Sequence, residues 1–343
     1  MPEAAPPNVV VTGAAGWLGQ NLVRDLVDDG RSVVRCLVRE PAEGALLEVL
    51  SPAVQPVVGD VRDPAAIEAL FDGVGSATVF HTAGVIHPPG TTRPFFDVNV
   101  GGTRLVLDGA RRAGAGRFVH VSSNSPFGAN ARPTDRFTED SPTNPYLSYG
   151  QSKLEGEELV RKAHDRGDLE AVVLRPPWFY GPHQPARQDQ FFSALRKGRF
   201  PLIGDGRQQR SMVFTGNLVQ GCRRAEVADA APGNAYWIAD AEPYELRRIF
   251  EGVREALALE GLPVSGKLRP VPRLLADVAV KADTLLQAAG RYVQPVHVLG
   301  ELRDTIACDI SAARKDLGYE PEVALVEGMR ASIRSCLARG ARL

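Results

Sequence analysis

The chain has 343 residues, 44% hydrophobic and 24% charged, which suits one large domain with an appendage or two domains and excludes disordered, collagenous and fibrous classes. Forty basic against 41 acidic side chains leave a net charge of −1, so the overall balance favours neither nucleic-acid backbones nor anionic membranes. In chain order, residues 9–11 are a β-branched run, followed by Thr12-Gly13-Ala14-Ala15-Gly16-Trp17-Leu18-Gly19 and then by apolar Leu18, Leu22, Val23, Leu26 and Val27 at helical spacing. Strand, glycine turn and helix follow one another, Gly30 closes the helix, and residues 32–38 supply a second strand, completing a βαβ unit.

The same alternation continues with predicted strands at residues 54–58, 77–82, 117–122 and 171–174 and helices at 65–71, 99–113 and 149–163. Strands alternating with helices predict an α/β fold, a Rossmann-type doubly wound parallel sheet covered on both faces. After Arg175, Pro176, Pro177, Gly181, Pro182 and Pro185 crowd together, so residues 1–175 are expected to form the dinucleotide-binding domain and residues 176–343 a smaller, mainly substrate-binding region. A strand near residues 235–240 is expected to return to the main sheet. Residues 274–289 are interrupted by Asp277, Lys281 and Asp283 and read as an amphipathic helix rather than a membrane span.

Cys36, Cys222, Cys308 and Cys336 lie far apart without ligand or redox spacing and read as reduced, buried thiols. Residues 1–7 lack a leader pattern and no run of eighteen apolar residues occurs, so a cytoplasmic protein is expected. The histidines have no metal-ligand spacing, and no metal is expected.

A dinucleotide pyrophosphate needs close backbone N–H groups and a positive helix end, which Gly13, Gly16 and Gly19 provide at a strand-to-helix turn. Their Thr-Gly-x-x-Gly-x-x-Gly pattern resembles the extended branch of the short-chain dehydrogenase/reductase superfamily. Gly59-Asp60-Val61, His81-Thr82-Ala83-Gly84, Asn99-Val100-Gly101-Gly102-Thr103 and the late Leu317-Gly318-Tyr319-Glu320-Pro321 are similar to segments of that branch. The resemblance implies cofactor contacts from Gly13, Gly16, Trp17, Leu18 and Gly19, from Asp60 and Val61, from Ala83 and Gly84, and from Lys153 and Pro176. Arg39 ends the second strand without a carboxylate at the strand tip and suits the 2′-phosphate of NADP(H), while Glu40 keeps NAD(H) as the alternative.

Tyr149 and Lys153 are four residues apart and share one face of a helix. An ammonium beside a phenol favours the phenolate and brings an acid–base group of ordinary pKa about 10 nearer to neutrality. By resemblance, Tyr149 exchanges a proton with the substrate oxygen, Lys153 also holds the nicotinamide ribose, and Ser123 polarises that oxygen, with Ser122 and Ser125 as competitors. Asn99 is a further candidate whose alternative role is a hydrogen bond inside the helix. Trp178 and Arg210, with His87 and Ser125, are the candidate substrate contacts.

The segments 174–182 and 236–240 resemble the 3β-hydroxysteroid dehydrogenase-like group, implying an NAD(P)-dependent oxidoreductase that interconverts a secondary alcohol and a ketone. Arg210 near Gly204-Asp205-Gly206 supports the alternative of a nucleotide-sugar 4-epimerase or 4-ketoreductase, against which Trp178 stands where many such enzymes carry Asn. A dehydratase is disfavoured because Asn124 and Ser125, not an acidic pair, follow Ser123. A non-catalytic dinucleotide-binding protein is the remaining reading, and relatives imply a homodimer through the helices at 99–113 and 149–163.

Overall fold

The computed structural model describes residues 8–343, so residues 1–7, examined above for a leader, lie outside the described residues. Seven strands form one sheet: β1 (Asn8–Thr12), β2 (Val33–Val38), β3 (Val54–Val58), β4 (Thr78–His81), β5 (Arg117–Val121), β6 (Glu170–Arg175) and β7 (Ala235–Trp237). Their spatial order is β3-β2-β1-β4-β5-β6-β7 and every pair is parallel. The order reverses between β1 and β4, and in such a sheet a crevice opens beyond the carboxyl ends of the strands at that point.

Successive residues of a strand face opposite sides, and β1 shows it directly. Val9 and Val11 join the core against α1 (Trp17–Asp28), whereas Val10 joins the core that packs on α3 (Pro64–Phe71) and α4 (Thr103–Ala113). A short helix, α2 (Pro41–Glu48), stands between β2 and β3 where no helix is expected. Only Gly44 and Leu47 of α2 are buried, so its apolar stripe is too thin to register.

The helix expected at 99–113 starts earlier: Arg93–Phe96 runs into wider π-type turns over Asp97–Gly102 and then into α4. Widened turns of this kind occur often where a helix is bent to serve a site. The predicted 149–163 helix is α5 (Leu147–Asp165). Beyond β6 come α6 (Arg187–Arg196), α7 (Thr215–Val227), α8 (Leu246–Leu259), α9 (Arg273–Ala288), α10 (Gln294–Glu301) and α11 (Leu325–Ala338). Of these α7 packs back on the main sheet, while α6, α8 and α11 share a separate core around Leu195, Phe250 and Met329. All four cysteines are free and buried, and among the described residues no helix is long and apolar enough to cross a membrane.

Candidate active site

The turn after β1 is shaped by glycine. Gly13 has φ +69°, and a Cβ there would lie 2.7 Å from the Ala83 nitrogen, so β1 and the loop after β4 approach too closely for a side chain. A Cβ at Gly19 would lie 2.1 Å from the Gly13 carbonyl oxygen, which lets α1 begin hard against the turn. Gly16 caps α1 without a side-chain hydrogen bond, and no acidic residue stands in the first helical turn. The first N–H groups and the positive end of α1 are therefore open to an anion, and the turn fits a dinucleotide pyrophosphate.

The expected neighbours of that turn vary in what they do. Trp17 donates through Nε1 to the Pro182 carbonyl at 2.9 Å and packs on Phe179, tying the start of α1 to the loop after β6. Leu18 and Val61 are buried, Val61 lying where a Cβ on Gly102 would meet it, and Pro176 is buried at the end of β6. Ala83 is half-buried and Gly84 exposed at the lip of the crevice. Asp60 accepts two hydrogen bonds from the Arg62 side chain at 2.8 Å, and this pairing first of all holds its carboxyl below the usual range. The Arg39 side chain is 77% exposed with a single 3.4 Å contact to Glu43, so its guanidinium is free to re-pair with an incoming phosphate.

Lys153 is buried and donates from Nζ to the Val121 carbonyl at 2.8 Å, which fixes it at the carboxyl end of β5. Burial draws its ammonium down to about 8, against the nearby Glu157 carboxylate. Burial likewise pushes the Tyr149 phenol up to about 12, opposed by the nearby Ser123 hydroxyl and reinforced by the charge of Glu301. Against the pull that Lys153 is expected to exert on the phenol stand two features of the fold. Lys153 is engaged with a main-chain carbonyl, and desolvation dominates at the phenol.

Of the three serines, Ser123 is the one whose hydroxyl is close enough to act on the Tyr149 phenol, whereas Ser122 donates to the Glu157 carboxylate at 2.5 Å. Ser125 sits beside Ser123, with 3.3 Å between their hydroxyl oxygens. Asn99 spans two elements: its side chain accepts from the Val85 N–H at 2.8 Å and donates to the Val85 carbonyl and to Ser152 of α5. The π-type turns carry Asn99 into that bridging place, so it braces the site rather than closing its own helix.

Behind the pair lies an anchor that the sequence reading missed. Glu157, at the next helical repeat after Tyr149 and Lys153, accepts from the Arg175 side chain at 2.8 Å, both groups buried. Arg175 also stacks its guanidinium over Phe127 at 4.5 Å. The i, i+4, i+8 spacing of Tyr149, Lys153 and Glu157 was the available signal.

The far wall comes from α9, α10 and the turn between them. Phe95 packs on Tyr149 with ring centres 5.6 Å apart and on Tyr292 at 5.4 Å, and the Tyr292 hydroxyl lies 2.6 Å from Nδ1 of His87. Burial, with Arg187 and His297 adding, draws His87 down to about 4. His297 packs at a tilt against Tyr146 and Tyr292 and lies 2.7 Å from Asp283. Gln287 of α9 accepts from the N–H of Ser148, the residue before Tyr149. No local signal marks Asp283, Gln287, Tyr292, His297 or Glu301, which reach the site only through the packing of α9 and α10.

The other expected substrate contacts have partners within the chain. Trp178 packs against Phe191. Arg210 is buried and donates to the Glu301 main-chain carbonyl at 2.9 Å. Among the described residues no group of three or more His, Cys, Asp or Glu could hold a metal ion.

Comparison with known proteins identifies the family. Residues 9–239 match the model of the NAD dependent epimerase/dehydratase family. A 4-hydroxy-2-methyl-3-oxo-4-farnesyl-3,4-dihydroquinoline-1-oxide ketoreductase of Stigmatella aurantiaca is 32% identical over 94% of each chain. A 3 beta-hydroxysteroid dehydrogenase/Delta 5→4-isomerase of Mycobacterium tuberculosis is 31% identical over 91% of this chain and 86% of its own. Among solved structures, the dTDP-glucose 4,6-dehydratase DesIV of Streptomyces venezuelae, with NAD and TYD bound, superposes with a TM-score of 0.75 at 25% identity, over 97% of this chain and 98% of that one.

Proposed function

The chain belongs to the NAD-dependent epimerase/dehydratase family, whose members here include dehydrogenases and dehydratases, and from that premise we propose that it is an NAD(P)-dependent oxidoreductase interconverting a secondary alcohol and a ketone on a largely apolar substrate. The observation that carries this reading is the placement of Tyr149 and Lys153 on one face of α5, with Lys153 held by the Val121 carbonyl two residues before Ser123 and Tyr149 packed on Phe95 of an aromatic wall shared with Tyr292. In this reading Ser123 donates to the substrate oxygen and holds it against Tyr149, which passes a proton to that oxygen in reduction and takes it back in oxidation. Lys153 supplies positive charge behind the phenol, and its ionisation near 8 keeps it within reach of the working pH. A nicotinamide dinucleotide bound along Gly13, Gly16 and Gly19 would supply the hydride exchange. The aromatic wall excludes water from the reacting carbon.

Two features favour this over a nucleotide-sugar epimerase. Arg210, the cation expected on a diphosphate, is buried and already bonded to a main-chain carbonyl. Two of the relatives above 30% identity are named for a ketone reduction and a hydroxysteroid oxidation, while a third, at 40%, is an uncharacterized protein of Sinorhizobium fredii. The epimerase keeps support from the family match and from the likeness to a sugar-nucleotide dehydratase. We assign the dinucleotide to residues 1–175 with β7, the substrate mainly to 176–343, the cofactor preference to NADP(H) through Arg39, and a homodimer to α4 and α5.

The test is turnover of a panel of bulky ketones and secondary alcohols with NADPH and NADH. Tyr149→Phe is expected to lower turnover by about 10²-fold or more, and a variant as active as wild type would overturn the assignment. Arg39→Ala should weaken NADPH far more than NADH. Released cofactor identified by mass spectrometry after denaturation separates the classes: slowly exchanging NAD supports an epimerase, freely exchanging NADP(H) a reductase.

A further inference from the structure

Helix α9 is turned the wrong way for a protein helix that has only a core to serve. It buries Ala276, Ala279, Asp283 and Gln287, its small and polar side. It leaves Leu274 68%, Leu275 52%, Val278 57% and Leu285 73% exposed. Leu274, Val278 and Leu285 stand at i, i+4 and i+11 and so form one stripe, with Leu275 at its edge. Isolated exposed leucines are ordinary, but four large apolar groups on one short helix call for a covering surface.

The charges around the stripe say what that surface is. Lys267, Arg269 and Arg273 stand at or before the start of α9, Lys281 lies within it and Arg291 follows it, and all five are exposed. Among the described residues none of the five is paired with a carboxylate, although 24 other salt bridges are formed across the molecule. The acidic residues of the helix are already taken, Asp277 by Arg303 at 3.0 Å and Asp283 by His297. An uncompensated cationic rim around an apolar stripe is complementary to anionic lipid. A second copy of the chain fits worse, because a two-fold contact through this face would bring the same cations towards one another.

We propose that α9 lies in the interface of an anionic membrane, with its leucines among the acyl chains and its flanking cations at the headgroups, so that the protein docks on the bilayer without spanning it. The inner side of the same helix lines the cleft: Asp283 holds His297, and Gln287 accepts from Ser148 beside Tyr149. Docking therefore sets the substrate wall against the lipid. This inference does not depend on which reaction the site performs.

The experiment is flotation of the whole protein with vesicles of phosphatidylcholine alone and of phosphatidylcholine mixed with phosphatidylglycerol, at low and high salt, with no turnover measured. Wild type is expected to float with the mixed vesicles, to stay behind with phosphatidylcholine, and to be released by salt. Each cation neutralised, beginning with Lys267→Gln and Lys281→Gln, should lower partition about fivefold, the ratio equivalent to about 1 kcal/mol per charge. Leu274→Ser with Leu285→Ser should lower it about tenfold or more while leaving the circular dichroism spectrum unchanged, since both side chains are exposed. Equal recovery with both vesicle types, or variants that float like wild type, would overturn the proposal. So would a concentration-dependent dimer in vesicle-free sedimentation that the leucine variant dissolves.

Discussion

Replacing Arg175 by Met removes one half of a buried ion pair without opening a large void. In the folded chain the Arg175 guanidinium donates to Glu157 through Nη2 at 2.8 Å and Nε at 3.2 Å. Both side chains are almost wholly buried. At 2.8 Å and an effective dielectric of about 20 the attraction is about 6 kcal/mol gross, most of which desolvation of the two groups takes back. The net cost of Arg175→Met is instead set by Glu157, left as a buried carboxylate, at about 3–5 kcal/mol. Two remaining partners point to the lower end: Ser122 still donates at 2.5 Å, and Arg161 stands 3.9 Å away.

A double-mutant cycle reads this directly. Urea unfolding of wild type, Arg175→Met, Glu157→Gln and the double variant should show the double variant less destabilised than the sum of the singles, with a coupling of about 1.5–3 kcal/mol. Lys153 and Glu157 share α5, so the single variants should also lose turnover through displacement of that helix. Additive losses, or an Arg175→Met cost below about 1 kcal/mol, would refute the view that this pair anchors the helix.

His81 and His120 stack face to face in the core at 5.3 Å, and burial holds both neutral, His81 down to about 3. The unfolded chain takes up their protons below about pH 6.5, so stability should fall as the pH drops from 6.5 towards 3, by up to about 1.4 kcal/mol per pH unit for each imidazole. Among the described residues neither ring nitrogen of His120 has a hydrogen-bond partner, so His120→Phe should flatten that slope in denaturation at pH 5 and pH 8. An unchanged slope would show that His120 is protonated in the fold. Glu301 raises the phenol of Tyr149 on top of burial. Glu301→Gln should therefore move the alkaline limb of the pH–rate profile to lower pH, and a limb that stays put or moves up would contradict the charge assignment.

The sequence by itself determined the parts whose physics is local. Gly13, Gly16 and Gly19 announce the turn because only glycine tolerates φ +69° at Gly13 and the approach of α1 at Gly19. The alternation of β-branched runs with helical periods gave the parallel sheet, and the four-residue spacing gave the shared face of Tyr149 and Lys153. Tertiary structure decided what depends on partners far away in the chain. Whether Tyr149 titrates near neutrality is set by its burial under Phe95 and by Glu301, about 150 residues away. Where the Arg210 guanidinium lies depends on α10, whose Glu301 carbonyl accepts from its Nη1. The amphipathic period of residues 274–289 was plain in the sequence, but periodicity says only that two faces differ. The fold buries the face of Ala276, Ala279 and Asp283, because Asp283 must reach His297, and that turns Leu274, Val278 and Leu285 outward.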